Sequence, residues 1–408
     1  QGPPSFRTPP EPPMAPVPEP AGPSPAGGGN GSFFERLGRP RHVLAPMVDQ
    51  SELPFRLLAR RYGAQLCYTP MVNAGQFVRS SSQRAELLAE ACPEDRPLVV
   101  QFAGHDGATL LEAARYVEHM CDAVDLNLGC PQGIARRGRY GAYLLEEEDL
   151  VVELVRTLSA NLSVPVTCKI RLFRGDLPRT LRLCRRLQEA GCALLTVHGR
   201  TRYQNKQTTG ECSWAAIAAV KAALNIPVVA NGGMETFADL ARCLEATGAD
   251  GVMSSEAALE NPALFCNNRD ANGSYVDQDR LAREYLELAS KHPPGGGAAA
   301  KDGCPKCVKA HVFKLLFMGL QDNTDLRDRV GQAKSLEEYV AVAEELRARG
   351  WEQPMHNHEN RYCRERSWYF RHRAEKAEEE DATMREAAAS EAEGEDEDEP
   401  CWAGSLFD

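Results

Sequence analysis

Three features of this 408-residue sequence predict an α/β fold, a (β/α)8 TIM barrel followed by a smaller C-terminal helical domain, with disordered termini. Eight short apolar runs bounded by Pro, Gly or Asn recur over roughly 220 residues, and helix-like stretches separate them. Several runs are continuous in Val, Ile and Leu, which is typical of strands buried on both faces. No Gly-rich dinucleotide motif follows the first run, which disfavours a doubly wound sheet, the rival fold.

In chain order, each apolar run is assigned as one barrel strand. The predicted strands are residues 42–48, 66–72, 97–103, 123–129, 164–170, 194–199, 226–232 and 251–255. The stretches between them, such as "TLRLCRRLQEAG", read as helices that stop at Gly63, Gly191 and Gly248. Strand and helix therefore alternate through the middle of the chain.

Composition divides the chain into five segments. We predict a disordered Pro/Gly-rich leader at 1–32, a barrel at 33–272, a helical domain at 273–350, a basic and aromatic segment at 351–373 and an acidic disordered tail at 374–408. The leader cannot bury a core, and its single arginine argues against an organelle presequence.

The formal net charge of −11 is concentrated at one end of the sequence. Residues 374–408 carry fourteen Asp and Glu against one Lys and one Arg, a balance of −12, so the preceding residues sum to about +1. A run of like charges is typical of a solvated tail. The acidic total therefore does not exclude a nucleic-acid partner.

Cysteine usage and hydropathy indicate where the protein works. Fourteen cysteines are scattered along the chain, several inside apolar runs, which favours a reducing compartment over a disulfide framework. No run of about 18 apolar residues predicts a membrane span. We expect a cytoplasmic or nuclear protein, and the sequence identifies no particular protein partner.

Polar residues lie at the ends of most predicted strands, where a barrel of this kind holds its chemistry. The strand ends carry Pro46 and Met47, Asn73, Gln101, Asn127 with Cys130, Lys169 with Arg171, His198 with Arg200, and Asn231 with Gly232 and Gly233. Alone, Lys169 is equally consistent with a solvated lysine, and His198 with a structural histidine. Together they suit a flavin ring, because amide groups match its pyrimidine edge and a lysine stabilises the reduced anion. The loops after the last two strands are the usual phosphate site of this fold.

Cys130 lies near the end of the stretch "DAVDLNLGCPQ", residues 122–132, between Gly129 and Pro131. One interpretation is packing, since free cysteine is among the most buried residue types. The other is chemistry: a thiol with a pKa near 8.5 is protonated at neutral pH and can act as an acid. A nucleophilic cysteine with a nearby base is a third alternative.

These motifs resemble the flavin-dependent tRNA-dihydrouridine synthases. The resemblance lies in "APMVDQS", "LCYTPMV", "VQFAG", "DLNLGCPQ", "VTCKIRL", "LLTVHGRT", "VVANGG" and "NPALF", and covers about residues 41–350. "NLGCPQ" followed by "RRGRYGAYL" is the most specific part, and the eukaryotic class acting on tRNA positions 16 and 17 is the most similar. The resemblance implies FMN, NADPH or NADH as reductant, and reduction of the C5–C6 bond of D-loop uridines in tRNA.

The resemblance also implies roles for individual residues. Cys130 would protonate C5 after hydride transfer to C6. The flavin would be bound by Pro46, Met47, Val48, Gln101, Lys169, His198, Asn231, Gly232 and Gly233, with Ser254 and Ser255 at its phosphate. The tRNA would be bound by Asn127 at the uracil and by Arg200, Lys309, His311 and Lys314. After the last strand the family commonly has Gly-Arg, whereas this chain has Ser254-Ser255-Glu256, which adds a like charge near the phosphate.

The C-terminal part of the sequence adds basic residues. Lysines and a histidine at 306–314 surround an apolar stripe, and "RYCRERSWYFRHR" at 361–373 interleaves five arginines with four aromatics, a composition typical of RNA-binding segments. A solvated helix face and a basic amphipathic helix are the structural alternatives. The lone C-x-x-C of Cys304 and Cys307 lacks a second pair, so no metal is expected.

Two other functions remain open from the sequence. One is a flavin-barrel dehydrogenase of a small, dihydroorotate-like molecule, for which the basic segments would have no purpose. The other is a catalytically inactive RNA-binding homologue, favoured only by the departure at Ser254-Ser255-Glu256. Flavin absorbance of the purified protein would distinguish the inactive homologue from the two flavin enzymes, the tRNA-dihydrouridine synthase and the small-molecule dehydrogenase.

Overall fold

Eight parallel strands close into a barrel, which confirms the predicted fold class. The computed structural model describes residues 32–205, 209–297 and 306–350; the predicted basic segment, the acidic tail and nearly all of the leader lie outside these ranges. The strands are β1 (His42–Leu44), β2 (Leu66–Tyr68), β3 (Val72–Asn73), β4 (Leu98–Ala103), β5 (Ala123–Leu128), β6 (Val166–Leu172), β7 (Cys192–Thr201), β8 (Val228–Asn231) and β9 (Gly251–Ser254). Pairing of β1 with β9 and of β2 with β4 closes the ring, and β3 adds to the end of β4.

The second predicted strand, 66–72, is divided in two in the structure. β2 ends at Tyr68, and β3 begins at Val72, opposite Phe102 of β4. Pro70 lies between them and has no N–H to donate to a strand ladder, so pairing breaks at this point. The break opens the rim of the barrel beside β4.

Helices follow most strands and cover the outside of the barrel. They are α1 (Phe33–Arg36), α2 (Leu53–Arg61), α3 (Ala74–Arg79), α4 (Ser81–Ala89), α5 (Gly107–Val117), α6 (Gly133–Arg137), α7 (Glu148–Asn161), α8 (Leu177–Glu189), α9 (Trp214–Ala223), α10 (Phe237–Thr247) and α11 (Glu256–Glu260). Side-chain caps fix several starts: Asp106 accepts from the Thr109 N–H at 2.8 Å, and Asp176 from the Arg179 N–H at 2.8 Å. Gly248 ends α10 at φ 62°, as predicted.

Side chains alternate between the barrel interior and the helix layer. On β5, Val124, Leu126 and Leu128 pack against the helices, whereas Ala123 belongs to the cluster inside the barrel. That inner cluster also contains Phe34 and Leu37 from the start of the chain's described part, so α1 closes the amino-terminal end. The carboxyl-terminal end is therefore the one left open for ligands.

Five further helices follow the barrel. They are α12 (Gln278–Lys291), α13 (Lys306–Leu315), α14 (Phe317–Asp322), α15 (Thr324–Gln332) and α16 (Leu336–Ala348). α12 packs on α2, α13 and α16, and α13 also contacts α11, so these helices rest directly on the barrel. The division between residues 272 and 273 stays a prediction. None of the helices in the described ranges is long and apolar enough to span a bilayer.

Candidate active site

A cavity of about 590 Å³ opens at the carboxyl ends of the strands, a volume typical of small-ligand sites. Fifteen of the predicted site residues line it: Pro46, Met47, Val48, Gln101, Asn127, Cys130, Lys169, His198, Arg200, Asn231, Gly232, Gly233, Ser254, Ser255 and Lys314. Lys309 and His311 do not line it. The structure thus brings nearly all of the predicted residues to one site.

The cavity floor is a hydrogen-bonded row that crosses three strands. The Gln101 Nε2 donates to Asp125 Oδ2 at 2.8 Å, and Thr167 Oγ1 donates to Asp125 Oδ1 at 2.6 Å. Asn127 Nδ2 donates to the Gln101 Oε1 at 2.7 Å. These contacts fix which way both amides point, and each amide nitrogen keeps a second N–H for a ligand.

Asp125 is a buried residue of this row that sequence reasoning missed. It is fully buried, and this burial raises its pKa to about 6 although Thr167, Gln101 and Lys169 oppose the shift. A signal was present: Asp125 and Asn127 alternate with Val124 and Leu126, so both polar residues had to face the barrel interior.

Cys130 lies in a loop that is held from three sides. Asn127 Oδ1 accepts from the Gly129 N–H at 3.1 Å and the Cys130 N–H at 2.9 Å. The Arg171 Nε donates to the Gly129 carbonyl at 2.9 Å, and the Ala142 N–H donates to the Cys130 carbonyl at 2.9 Å. The thiol is half-buried, and burial raises its pKa above the ordinary value. It is therefore a protonated thiol at neutral pH, at a fixed position on the cavity wall.

Two cationic side chains of β6 lie beside that thiol. Burial, together with the charge of Arg171, lowers the pKa of Lys169 to about 8, although Asp125 and Cys130 oppose the shift. Burial together with Arg200 lowers the pKa of Arg171 to about 10. Lys169 is paired in register with Asn127 of β5, so a positive group and an amide share this wall.

The β7 and β8 ends form a tight, glycine-dependent turn. Gly232 has φ 100°, and a Cβ there would lie 2.9 Å from Nε2 of His198. The Trp214 Nε1 donates to the Gly232 carbonyl at 3.0 Å, and Asn231 Nδ2 donates to the Met253 carbonyl at 2.8 Å. His198 Nε2 lies 3.3 Å from Nη1 of Arg200. Glycine is thus required for the close approach of this turn to the histidine.

Ser254 ends β9 on the opposite side of the barrel from β5. Its hydroxyl is buried and has no hydrogen-bond partner among the described residues. A buried polar group of this kind is costly unless a ligand satisfies it. The amides and lysine near Cys130, with a hydroxyl across the cavity, therefore fit an elongated polar ligand such as a flavin nucleotide.

The predicted basic surface of α13 is not formed as expected. His311 is fully buried, where Nε2 lies 3.1 Å from Glu52 Oε2 and its ring stacks on Phe55 at 4.3 Å between centroids. It lies on the apolar stripe of Val308, Val312 and Leu315, a spacing that already indicated burial. His311 is therefore positioned to anchor α13 and is not placed to contact tRNA.

Lys309 and Lys314, two of the three lysines of α13, are also placed differently from the prediction. Lys314 is only 3% exposed and lines the cavity, so it does not lie on an outer face. The Lys309 ammonium donates to the Gly331 carbonyl of α15. α13 is covered by the barrel helix α11 on one side and by α12 and α15 on others. The periodicity of its own sequence does not show these contacts.

An arginine–tyrosine rim, formed by Tyr143, Arg174, Arg202 and Tyr203, borders the cavity. The Arg202 guanidinium lies 5.3 Å from the Tyr143 ring centre and 4.9 Å from that of Tyr203, and Arg174 lies 5.3 Å from Tyr203. The Tyr143 hydroxyl donates to the Pro131 carbonyl at 3.1 Å, beside the cysteine loop. The rim combines aromatic surface with the positive charge of Arg174 and of Arg202, and Arg202 also forms an ion pair with Glu146 at 3.0 Å.

Fold and site together define a barrel enzyme with a cofactor-sized polar cavity, and sequence comparison identifies its family. Residues 43–350 match the family described as Dihydrouridine synthase (Dus). The chain belongs to this family of oxidoreductases, which confirms the resemblance stated from its motifs.

Several curated proteins are similar to this chain over most of its length. A Rattus norvegicus protein named "tRNA-dihydrouridine(16/17) synthase [NAD(P)(+)]-like" is 49% identical over 320 residues, 78% of this chain and 69% of that protein. The Mus musculus protein of the same name is 48% identical, and the alignment spans 64% of its length, just under two thirds. The Saccharomyces cerevisiae "tRNA-dihydrouridine(16/17) synthase [NAD(P)(+)]" is 44% identical over 72% of this chain and 70% of that protein. Family membership implies a flavin and NAD(P)H.

Proposed function

We propose that this protein is an FMN-dependent tRNA-dihydrouridine synthase that uses NAD(P)H to reduce D-loop uridines at positions 16 and 17. One observation carries the proposal: a protonated thiol, Cys130, and a cationic amine, Lys169, share one cavity wall with the amides of Gln101 and Asn127. Relatives whose names specify tRNA-dihydrouridine(16/17) synthase support the substrate and the positions.

The chain's own residues have distinct tasks in this reaction. When bound, the flavin supplies the hydride for C6 of the uracil, after its own reduction by NAD(P)H. Gln101 presents its remaining amide N–H to the ring's polar edge, and Lys169 places positive charge there. Cys130 holds the proton that C5 receives, because burial keeps the thiol protonated. Asn127 fixes the cysteine loop with its carbonyl oxygen and keeps one N–H for the uracil.

The arginine–tyrosine rim supports a nucleic-acid substrate over a small molecule. Tyr203 is 44% exposed, and Arg202 and Arg174 lie against its ring. Unstacked bases are commonly recognised by aromatic rings and guanidinium planes, and phosphates by arginine. A dihydroorotate-like substrate would fit inside the cavity and leave this rim without a ligand.

Two measurements test the proposed function. Supernatant of the heated protein should contain FMN, and protein reduced by NADPH should be reoxidised by tRNA lacking dihydrouridine, with dihydrouridine appearing at positions 16 and 17. Orotate should not reoxidise it. Reoxidation by orotate alone would establish the small-molecule dehydrogenase, and a protein that binds tRNA but no added FMN would establish the inactive homologue.

We also propose that the protein acts in the cytoplasm or nucleus, where tRNA is processed. Every cysteine in the described ranges is a free thiol, which supports a reducing compartment. Fractionation with an antibody to the endogenous protein tests this expectation.

A further inference from the structure

We propose that Lys314, on a helix outside the barrel, binds the phosphate of the flavin nucleotide. The inference rests on the proposed function and adds a residue for which a role at the tRNA backbone was expected. It makes cofactor binding depend on α13 as well as on the barrel.

Lys314 lies inside the cavity although its helix packs outside the barrel. It is 3% exposed and lines the cavity together with Met47, Ser254 and Ser255. α13 packs against α11, and α11 begins directly after β9. Lys314 therefore enters the cavity on the side of β1 and β9.

The order of strands around the barrel shows which part of the ligand reaches that side. β9 lies four strands away from β5 in the closed ring of eight, which is directly across the barrel. The reacting ring must lie beside Cys130 and Lys169, at the ends of β5 and β6. The far end of the nucleotide, which is its phosphate, then lies towards β8 and β9, near Lys314.

Charge and hydrogen bonding in this part of the cavity match a phosphate. Glu52 is the carboxylate whose charge acts on Lys314, and its two oxygens accept from Tyr285 at 2.8 Å and His311 at 3.1 Å. The Ser254 hydroxyl is buried and lacks a hydrogen-bond partner among the described residues. A phosphate carries a charge of roughly −1.5 to −2 at pH 7 and several acceptor oxygens, so it can accept from the Ser254 hydroxyl and attract the Lys314 ammonium, which also donates to the Ala310 carbonyl at 3.5 Å.

Lys314 would also offset the negative charge of Glu256. Glu256 lines the cavity two residues after Ser254, where its negative charge opposes a phosphate, although that charge also acts on Arg171 of β6. A cation from outside the barrel offsets that repulsion. His311, one turn before Lys314 on the same helix, is fixed by Glu52 and Phe55 and so keeps the ammonium in place.

The test compares FMN with riboflavin, which has the same ring and no phosphate. Flavin fluorescence is titrated with apoprotein of the full chain, as parent, as Lys314→Met and as the control Lys306→Met, an exposed lysine of the same helix. We expect Lys314→Met to weaken FMN binding roughly 10- to 100-fold, the effect of losing a charge-assisted hydrogen bond, and riboflavin binding less than about 3-fold. Lys306→Met should match the parent with both flavins.

Other outcomes separate the inference from the proposed function. Equal losses for both flavins, or unchanged FMN affinity in a folded Lys314→Met protein, would overturn the phosphate role. A parent protein that binds neither flavin would overturn the proposed function instead. Glu256→Gln should tighten FMN binding and leave riboflavin binding unchanged.

A measurement on the parent protein covers the case in which Lys314→Met does not fold. Acetic anhydride labelling followed by mass spectrometry reports the accessibility of each lysine. FMN should protect Lys314 and riboflavin should not, while Lys306 reacts in all samples. Equal protection of Lys314 by the two flavins would contradict the inference.

Discussion

At the scale of single residues, Cys130 has more constraints than a packing cysteine requires. Its backbone N–H, its carbonyl and the preceding carbonyl are all hydrogen-bonded, to Asn127, Ala142 and Arg171 respectively. The side chain nevertheless lines the cavity and is only half-buried. A fixed backbone with an accessible, protonated thiol is what a general acid needs.

The first prediction separates this role from packing. Cys130→Ala should bind flavin and be reduced by NADPH, because those steps precede protonation, but reoxidation by tRNA should slow about 10²- to 10⁴-fold. Single-turnover absorbance measures it, with Cys92→Ala, a half-buried cysteine away from the cavity, as control. Serine, a weaker acid, should rescue little. Reoxidation of Cys130→Ala at nearly the parental rate would end the assignment.

At the scale of secondary-structure elements, the turn after α6 supports the cysteine loop from behind. Gly141 has φ 67°, and a Cβ there would lie 2.6 Å from the Cys130 carbonyl oxygen and 2.9 Å from its Cβ. Only glycine allows this approach, because the contacted atoms belong to the backbone and to the base of the side chain.

The second prediction uses two glycines of this region. Gly141→Ala should destabilise the protein by about 1–3 kcal/mol and slow tRNA-driven reoxidation, because strain and the steric conflict displace Cys130. Gly133→Ala, at the start of α6 with nothing within 4 Å of the added Cβ, is the control and should behave as the parent. Chemical denaturation and single-turnover kinetics measure both effects. A Gly141→Ala protein with parental kinetics would show that the loop tolerates the shift.

A second element-scale feature joins the barrel to the helices that follow it. Glu52, at the start of α2, is buried against Tyr285 of α12 and His311 of α13. Burial raises the pKa of Glu52, but the charge of His311 and hydrogen bonds from His311 and Tyr285 lower it more, so the net pKa lies below the ordinary value. The carboxylate is thus ionised and depends on its partners.

The third prediction concerns this buried pair. His311→Ala should lower the free energy of unfolding by about 3–5 kcal/mol, since it leaves a buried carboxylate without its histidine partner. Glu52→Gln in the same protein should recover part of that loss. Denaturant unfolding of the two single variants and the double variant measures the coupling. Strictly additive losses would mean that the two side chains do not interact.

At the scale of the whole molecule, positive charge is separated from negative charge along the chain. Residues 361–373 contain five arginines, whereas 374–408 balance to −12. Both segments lie outside the residues that the structure describes. Phosphate contacts release counterions, and affinity then falls steeply with salt concentration.

The fourth prediction follows from that separation. Replacing Arg364, Arg366, Arg371 and Arg373 by Gln should weaken binding of all tRNA species and flatten the salt dependence. Removing residues 374–408 should strengthen binding at low salt, because the competing negative charge is gone. Filter binding over a salt series measures both. An unchanged salt slope in the arginine variant would leave the segment with a structural role.

The sequence predicted most of the fold and the site for a definite physical reason. Runs of apolar residues between Gly, Pro and Asn indicate strands that are buried on both faces. In a parallel barrel the carboxyl ends of all strands lie at the same end of the barrel. Gln101, Cys130, Lys169 and His198 could therefore be assigned to one cavity before any contact was known. The family followed from the same strand-end motifs.

Only the tertiary structure shows the contacts between elements that are distant in sequence. Glu52 meets His311 across 259 positions, and Lys314 of α13 enters a cavity built by the barrel. Periodicity within α13 distinguishes its apolar face, but it does not show what covers the edges of that face. The folded barrel supplies that cover, and it turns a lysine and a histidine expected at the surface into a cavity residue and a buried anchor.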